Sequence, residues 1–425
     1  MMSDTTERTL SAGQAASAAA AKSVAALDAT KVHLVGVRPA GEVTNEVGRR
    51  RFLHAGPPIR LEDVPGPMRG ALIGGLIFEG EAKDVAEAEA ILDAGELELL
   101  PCHDAGALGA MAGVITPSMP VVVAKSAGHT TFSPLNEGTG GAVRYGSYDD
   151  ETLARLRWMA SDMACVLDDA IQATDPIELA GMVAEGLRRG DDCHNRLIAT
   201  TASLIVRLAP ALIASGRNRD AVSRTVAIMA GNGHFALPFA ISAAKALTLA
   251  AADIADSPIV TTMSGNGREF GIRVSGLGDR WFLCPSPIGE PKLIPGGKME
   301  DVNPTMGDSM ISETAGFGAF AMSAAPAIMS FIGGTVEQGT RMVAEMRQIC
   351  SGTSSRFLIP AEEHRGSPIG INVHRVRETG ISPMINNGLS HRLPGHGRIG
   401  AGVTRIPVEP FIEASRALEA KAAAR

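Results

Sequence analysis

The sequence predicts a mixed α/β (α+β) protein in which two α/β units flank a helical subdomain. Three observations carry that expectation. Short β-rich runs alternate with helical ones before residue 148, a 3.6-residue apolar period dominates the middle third, and strands return after Ser257. A chain of 425 residues also exceeds what one core ordinarily fills, so several packed units are expected.

Residues 1–30 are rich in Ala and Ser, place acids among their earliest charges and lack the long apolar core of a secretory signal. They read as a flexible tail or a peripheral helix. The N-terminal α/β unit spans 31–148: VHLVGV at 32–37, a helical AKDVAEAEAILDAG at 82–95 with Gly95 as its stop, LELL at 97–100 and PVVVA at 120–124. The helical subdomain spans 149–255. It opens on an Asp-rich start suited to a helix N-terminus, followed by Leu153, Leu156, Met159, Met163, Val166, Leu167 and Ala170 on one stripe. The second α/β unit spans 256–425, with PIVTTM, FGIRVS, WFLC, RFLIP and ISPMIN as strands. An uncharged stretch, Thr314 to Val336, is long enough to cross a bilayer. Its Gly, Ser and Ala content, Pro326 and the absence of a basic flank instead predict a buried helix and no membrane span.

Net charge is -7 and the basic residues are scattered, which argues against a nucleic-acid partner. The five cysteines are widely spaced and form no C-x-x-C, so neither a disulfide framework nor a zinc knuckle is expected, and a reducing cytoplasm fits. His391 and His396 lack the helical spacing and acidic companion of a zinc site, and no metal or cofactor is expected.

Chemistry concentrates first in TTMSGNGREFGIRVSGLGDRW, 261–281. Gly265, Gly267 and Gly271 miss the dinucleotide spacing G-x-G-x-x-G, and no phosphate-loop motif occurs elsewhere. A strand-loop-strand remains, in which Gly265 and Gly267 let backbone N–H groups approach a small anion while Arg268, Arg273 and Arg280 offer forked donors. The alternative is a hairpin with structural glycines and arginines paired to Glu269 and Asp279. His54 precedes a rigid Gly-Pro-Pro corner, and His103, in PCHDAG, follows a strand at the end where open α/β sheets bind ligands. Either could be a general acid, or a hydrogen-bonded structural histidine. Asn136 and Glu137 sit in a polar loop as further candidates for anion binding, whereas capping accounts for Asp192, Asn195 and Asn232.

The strings RRFLHAGPP, GAMAGVITPSMPV, LNEG, LRWM, NGREFGIRVSGLGDRWF and ETAGFGAFAMSAAPAI, in this order, resemble the YlbE-like (AllG-like) component of oxamate carbamoyltransferase from about Lys31 to Pro410. The resemblance implies a cytoplasmic subunit of a multi-component enzyme, beside an FdrA-like subunit and a third subunit, with self-association expected as well. It further implies phosphorolysis of a ureido acid, oxalurate or an analogue, to carbamoyl phosphate and an amide during allantoin breakdown. The family pattern carries more histidines where this chain reads CHDAG, which leaves the particular ureido acid open. A non-catalytic scaffold and an amidohydrolase acting with water are the alternatives. No catalytic residue is carried over from the resemblance. The site expected from the residues themselves is His54 and His103 for proton transfer, with Arg268, Arg273, Arg280, Gly265, Gly267, Asn136 and Glu137 around small anions.

Overall fold

The computed structural model describes residues 2–138 and 140–424. It is an α+β protein: helices and several small sheets share the chain. Helix Met2–Ala29 comes first, and its second half packs through Ala20, Ser23 and Leu27, with Ser23 Oγ 2.6 Å from Ser257 Oγ.

The N-terminal unit contains two kinds of pairing. Strands His33–Pro39, Pro120–Ser126 and His129–Pro134 form an antiparallel sheet with Pro120–Ser126 in the middle. Arg51–His54 and Glu98–Pro101 pair in parallel, connected through helices Gly66–Glu79 and Val85–Asp93. Asp84 caps the second of these helices by accepting the Glu87 N–H, and Gly95 turns left-handed just beyond its end.

The middle third is helical as the apolar stripe requires. Asp150–Trp158 and Ala164–Gln172 are joined by a π-helical turn, Met159–Met163, and every member of the predicted stripe is buried. Helices Leu179–Arg188, Ile198–Ala214 and Arg219–Gly231 follow. Helix Leu237–Ala250 is buried on all sides from Leu237 to Thr248, including Lys245, and packs on the antiparallel sheet. A helix apolar all round belongs in a core, and the lysine is the exception to explain.

In the last third, hairpin Val260–Asn266 and Glu269–Val274 is flanked by Met306–Gly307 on one side and Phe282–Pro285 on the other. A two-stranded pair, Cys350–Ile359 with Arg365–Ile371, and a sheet of Met384–Ser390, Arg398–Arg405 and Glu290–Leu293 complete the β structure. The uncharged stretch is buried without a break only as far as Ala325, Phe331 and Val336 being exposed beyond it, and it is not one helix. It breaks into Ile311–Ala315, a 3-10 segment Gly318–Ala324 and Pro326–Phe331. Gly316 (φ 100°) and Gly318 (φ 65°) adopt left-handed backbone, and Pro326 denies the next segment a backbone donor. No helix among the described residues is long and apolar enough to cross a membrane.

The largest apolar cluster runs from Leu27 to Leu418 and draws on all three thirds, while two smaller clusters lie almost wholly within the first third. All five cysteines are free; Cys165, on helix Ala164–Gln172, is exposed and the other four are buried.

Gly56 marks a tight approach between the first and last thirds. Its φ is 92°, and a Cβ there would lie 2.4 Å from the Asn266 backbone nitrogen. Backbone cannot yield as a flexible side chain can. Gly56→Ala is therefore expected to lower unfolding free energy by about 2–4 kcal/mol. Equilibrium denaturation checks this, and an unchanged midpoint would disprove the tight contact.

Candidate functional site

Parallel pairing sets His54 opposite Pro101, so His54 and the 3-10 turn Cys102–Ala105 leave the same carboxyl end of the strand pair. Gly106, at φ 72°, ends that turn and fixes His103 inward. The hairpin of the last third brings Ser264 and Arg273 to this end, helix Leu237–Ala250 brings Lys245, and edge strand Met306–Gly307 delivers Asp308 directly after it. All six side chains are buried.

Asp308 is the hub. Its carboxylate accepts the Gly56 N–H at 3.0 Å, the Gly109 N–H at 2.8 Å and the Ser264 hydroxyl at 2.5 Å. Burial pushes its pKa up, but His103 and these hydrogen bonds win and hold it below the ordinary carboxylate range. His103 Nε2 lies 3.2 Å from Asp308 Oδ1, though off a good hydrogen-bond line, and Lys245 Nζ stands 3.0 Å from His103 Nδ1. Burial, then the Lys245 charge, lowers the His103 pKa to about 4. His103 is thus neutral near pH 7, and an ammonium donating to Nδ1 assigns its proton to Nε2.

Lys245 itself is lowered to about 8, by burial first and the Arg273 guanidinium second. Arg273 closes the top of the cluster. It pairs with Asp104, reaches Asp279 at 3.5 Å and lies 4.4 Å from the Trp281 ring centroid, while that ring meets His103 edge-on at 6.0 Å. His54 Nδ1 donates to the Ala55 carbonyl at 2.9 Å, which leaves Nε2 a buried acceptor without a partner; burial lowers its pKa too. Burial thus disfavours the charged form of both histidines. The cluster also holds an ammonium, Lys245, that the sequence did not single out.

The three arginines do not share a pocket. Arg273 is buried in the cluster, but Arg268 turns to Asp63, donating to its backbone carbonyl at 2.6 Å, and Arg280 lies over the Phe282 ring at 4.6 Å. The hairpin separates them: Arg268 sits in its turn, Arg273 along a strand and Arg280 in the following loop. Gly265 and Gly267 serve the fold, since a Cβ on Gly265 would meet the Thr305 carbonyl at 2.8 Å and Gly267 holds the turn at φ 86°. The expectation of a convergent arginine pocket lined by these glycines is corrected accordingly.

Asn136 and Glu137 belong to a different place. With Arg144, Gly109 and Pro238 they line a cavity beside the hub. Glu137 accepts the Val143 and Arg144 N–H groups, and burial raises its pKa.

The class is thus an α+β protein that buries a Lys-His-Asp cluster beneath an arginine. Comparison then places it in a family. The model of oxamate carbamoyltransferase subunit AllG matches residues 97–309. The oxamate carbamoyltransferase subunit AllG of Escherichia coli (strain K12) is 39% identical over 391 residues, 91% of this chain and 93% of the relative. An uncharacterized protein, YahG, of the same strain is 38% identical over 383 residues, 90% of this chain and 81% of the relative. The crystal structure of a conserved protein of unknown function from Enterococcus faecalis V583 superposes with a TM-score of 0.92 at 38% identity, covering 95% of this chain and 98% of that one. The chain belongs to the AllG family of oxamate carbamoyltransferase subunits.

The depressed lysine has a thermodynamic signature. Between about pH 8 and 10.5 the unfolded chain keeps a proton on Lys245 that the folded chain has released, so this group adds stability as pH rises through that window. Wild type should gain stability relative to Lys245→Met over that range. Denaturation curves at several pH values measure the difference, and a pH-independent difference would rule out the lowered pKa.

Proposed function

We propose that this chain, as a subunit of an oxamate carbamoyltransferase-like enzyme, contributes the centre at which a ureido acid, oxalurate or an analogue, is cleaved by phosphate. The observation that carries the reading is the Lys245 ammonium held between His103 and Arg273 in a buried site. Family membership supports the reaction class, and an FdrA-like subunit with a third subunit would complete the assembly in the cytoplasm.

A phosphate oxygen attacks the ureido carbonyl carbon, a new C–O bond forms and the C–N bond to the departing amide breaks. The phosphate hydroxyl proton must reach that nitrogen. Lys245 is placed to donate to it and recover a proton from the phosphate, while neutral His103 orients the ammonium through Nδ1. Arg273 is committed to Asp104 at rest, so an entering anion replaces that carboxylate as its partner and opens the cluster.

With Lys245 as the acid, carbamoyl phosphate formation by the reconstituted complex should fall about tenfold per pH unit above roughly pH 8. Lys245→Met should lower it about 100-fold or more at pH 7. Full activity of that variant within the complex would leave this chain as a scaffold, and ammonia released without phosphate would identify a hydrolase.

A further inference from the structure

Away from the Lys245 centre, a second polar cluster is buried between the helical third and the last sheet. Asp192, ahead of helix Ile198–Ala214, accepts the backbone N–H groups of His194, Asn195 and Arg196, and also the Asn386 side-chain amide at 2.5 Å. His194 Nδ1 lies 2.9 Å from Glu313 Oε1, which also accepts the Ala319 and Asn386 N–H groups. Asn195 links the two sides, donating to Asn386 Oδ1 at 3.1 Å and lying 3.3 Å from His234 Nε2. Asp192 is committed to these donors, and Glu313 is bonded through Oε1 alone, its buried Oε2 being without a partner.

The cations are not matched in the same way. Arg144 donates through Nη2 to the Gly138 carbonyl and stacks on Tyr145 at 4.8 Å, while its buried Nε has no acceptor. Arg398 donates through Nε to the Gly400 carbonyl. Neither makes an ion pair among the described residues. Tyr145 stands between them: Arg144 stacks on its ring, and a Cβ at Gly388 would lie 3.3 Å from its hydroxyl and 3.8 Å from Arg398 Nε. Asn136 completes the arrangement. Its Oδ1 accepts from Gly138 N–H and from Asn232 Nδ2, both at 3.0 Å, which fixes the amide orientation and leaves Nδ2 buried, donor only and without an acceptor. A buried donor left unmet costs about 1–3 kcal/mol, so two such donors, Arg144 Nε and Asn136 Nδ2, on residues that line one cavity ask for an acceptor.

We infer that Arg144, Arg398 and Asn136, backed by the His194 and Glu313 pair, form a second binding site for a small oxyanion, separate from the Lys245 centre. Forked guanidinium donors and an amide N–H suit either a phosphate or a carboxylate. The local field agrees: His234 is lowered to about 3 by burial and then by the charges of Arg398, Arg144 and His194 acting together. An anion among these groups would relieve that repulsion. This inference does not depend on the carbamoyl-transfer reading, because it concerns binding alone.

The test titrates inorganic phosphate and, separately, oxalate into the full chain by calorimetry. Wild type is expected to bind at least one of them, and the stronger of the two identifies the source chemistry. Arg144→Met and Arg398→Met should each weaken that binding about tenfold or more, with Arg398→Lys retaining part of it. Lys245→Met should stay within about threefold of wild type. Circular dichroism confirms folding, and ligand-induced stabilisation against denaturant provides a second readout that should be smaller in the arginine variants. No binding by wild type up to about 10 mM, wild-type affinity in both arginine→Met variants, or an equal loss in Lys245→Met each overturns the inference.

Discussion

The Asp308 carboxylate, stripped of water, has to find its hydrogen-bond donors within the protein, and it finds them on chain segments from 44 to 252 positions away. Gly56 and Gly109 offer backbone N–H groups from the first third, and Ser264 offers a hydroxyl from the last. A buried carboxylate deprived of any of these would cost several kcal/mol, so the three segments are bound to one another through a single charged group. The geometry of His103 and Lys245 follows from it. With Asp308 fixed, the imidazole has one face to meet and the ammonium one nitrogen to address.

The same short segment serves both polar clusters. Asp308 stands at its start and Glu313 five positions later in helix Ile311–Ala315, each buried and each accepting backbone N–H groups. An otherwise uncharged stretch of sequence thus begins with two acids that hold the protein's interior charge in place. The glycines and proline that follow prevent a continuous helix and let the chain fold back over both.

Much of the architecture was legible because it rests on local pattern. The apolar stripe from Leu153 to Ala170, the Gly95 stop and the hairpin at 260–274 all follow from periodicity and turn chemistry, and each is present. His103 at a strand's carboxyl end was legible for the same reason. The partners were not. Lys245 sits in a run of Ala and Leu where a lone lysine reads as a solvent-facing helix position, and Asp308 reads as a loop residue; only long-range packing brings them within reach of His103. Arg268, Arg273 and Arg280 were misleading in the opposite way. Proximity in sequence suggested one pocket, but a tight turn and strand alternation send them to different surroundings.

The distribution of thiols has a practical consequence. Burial pushes the thiols of Cys102, Cys193, Cys284 and Cys350 above their ordinary range, so each is shielded and protonated. Cys165 stands alone at the surface, on a helix that contributes nothing to either polar cluster. A maleimide dye applied to the native protein therefore has one address, and a fluorophore can be attached for watching subunits assemble without redesigning the interior.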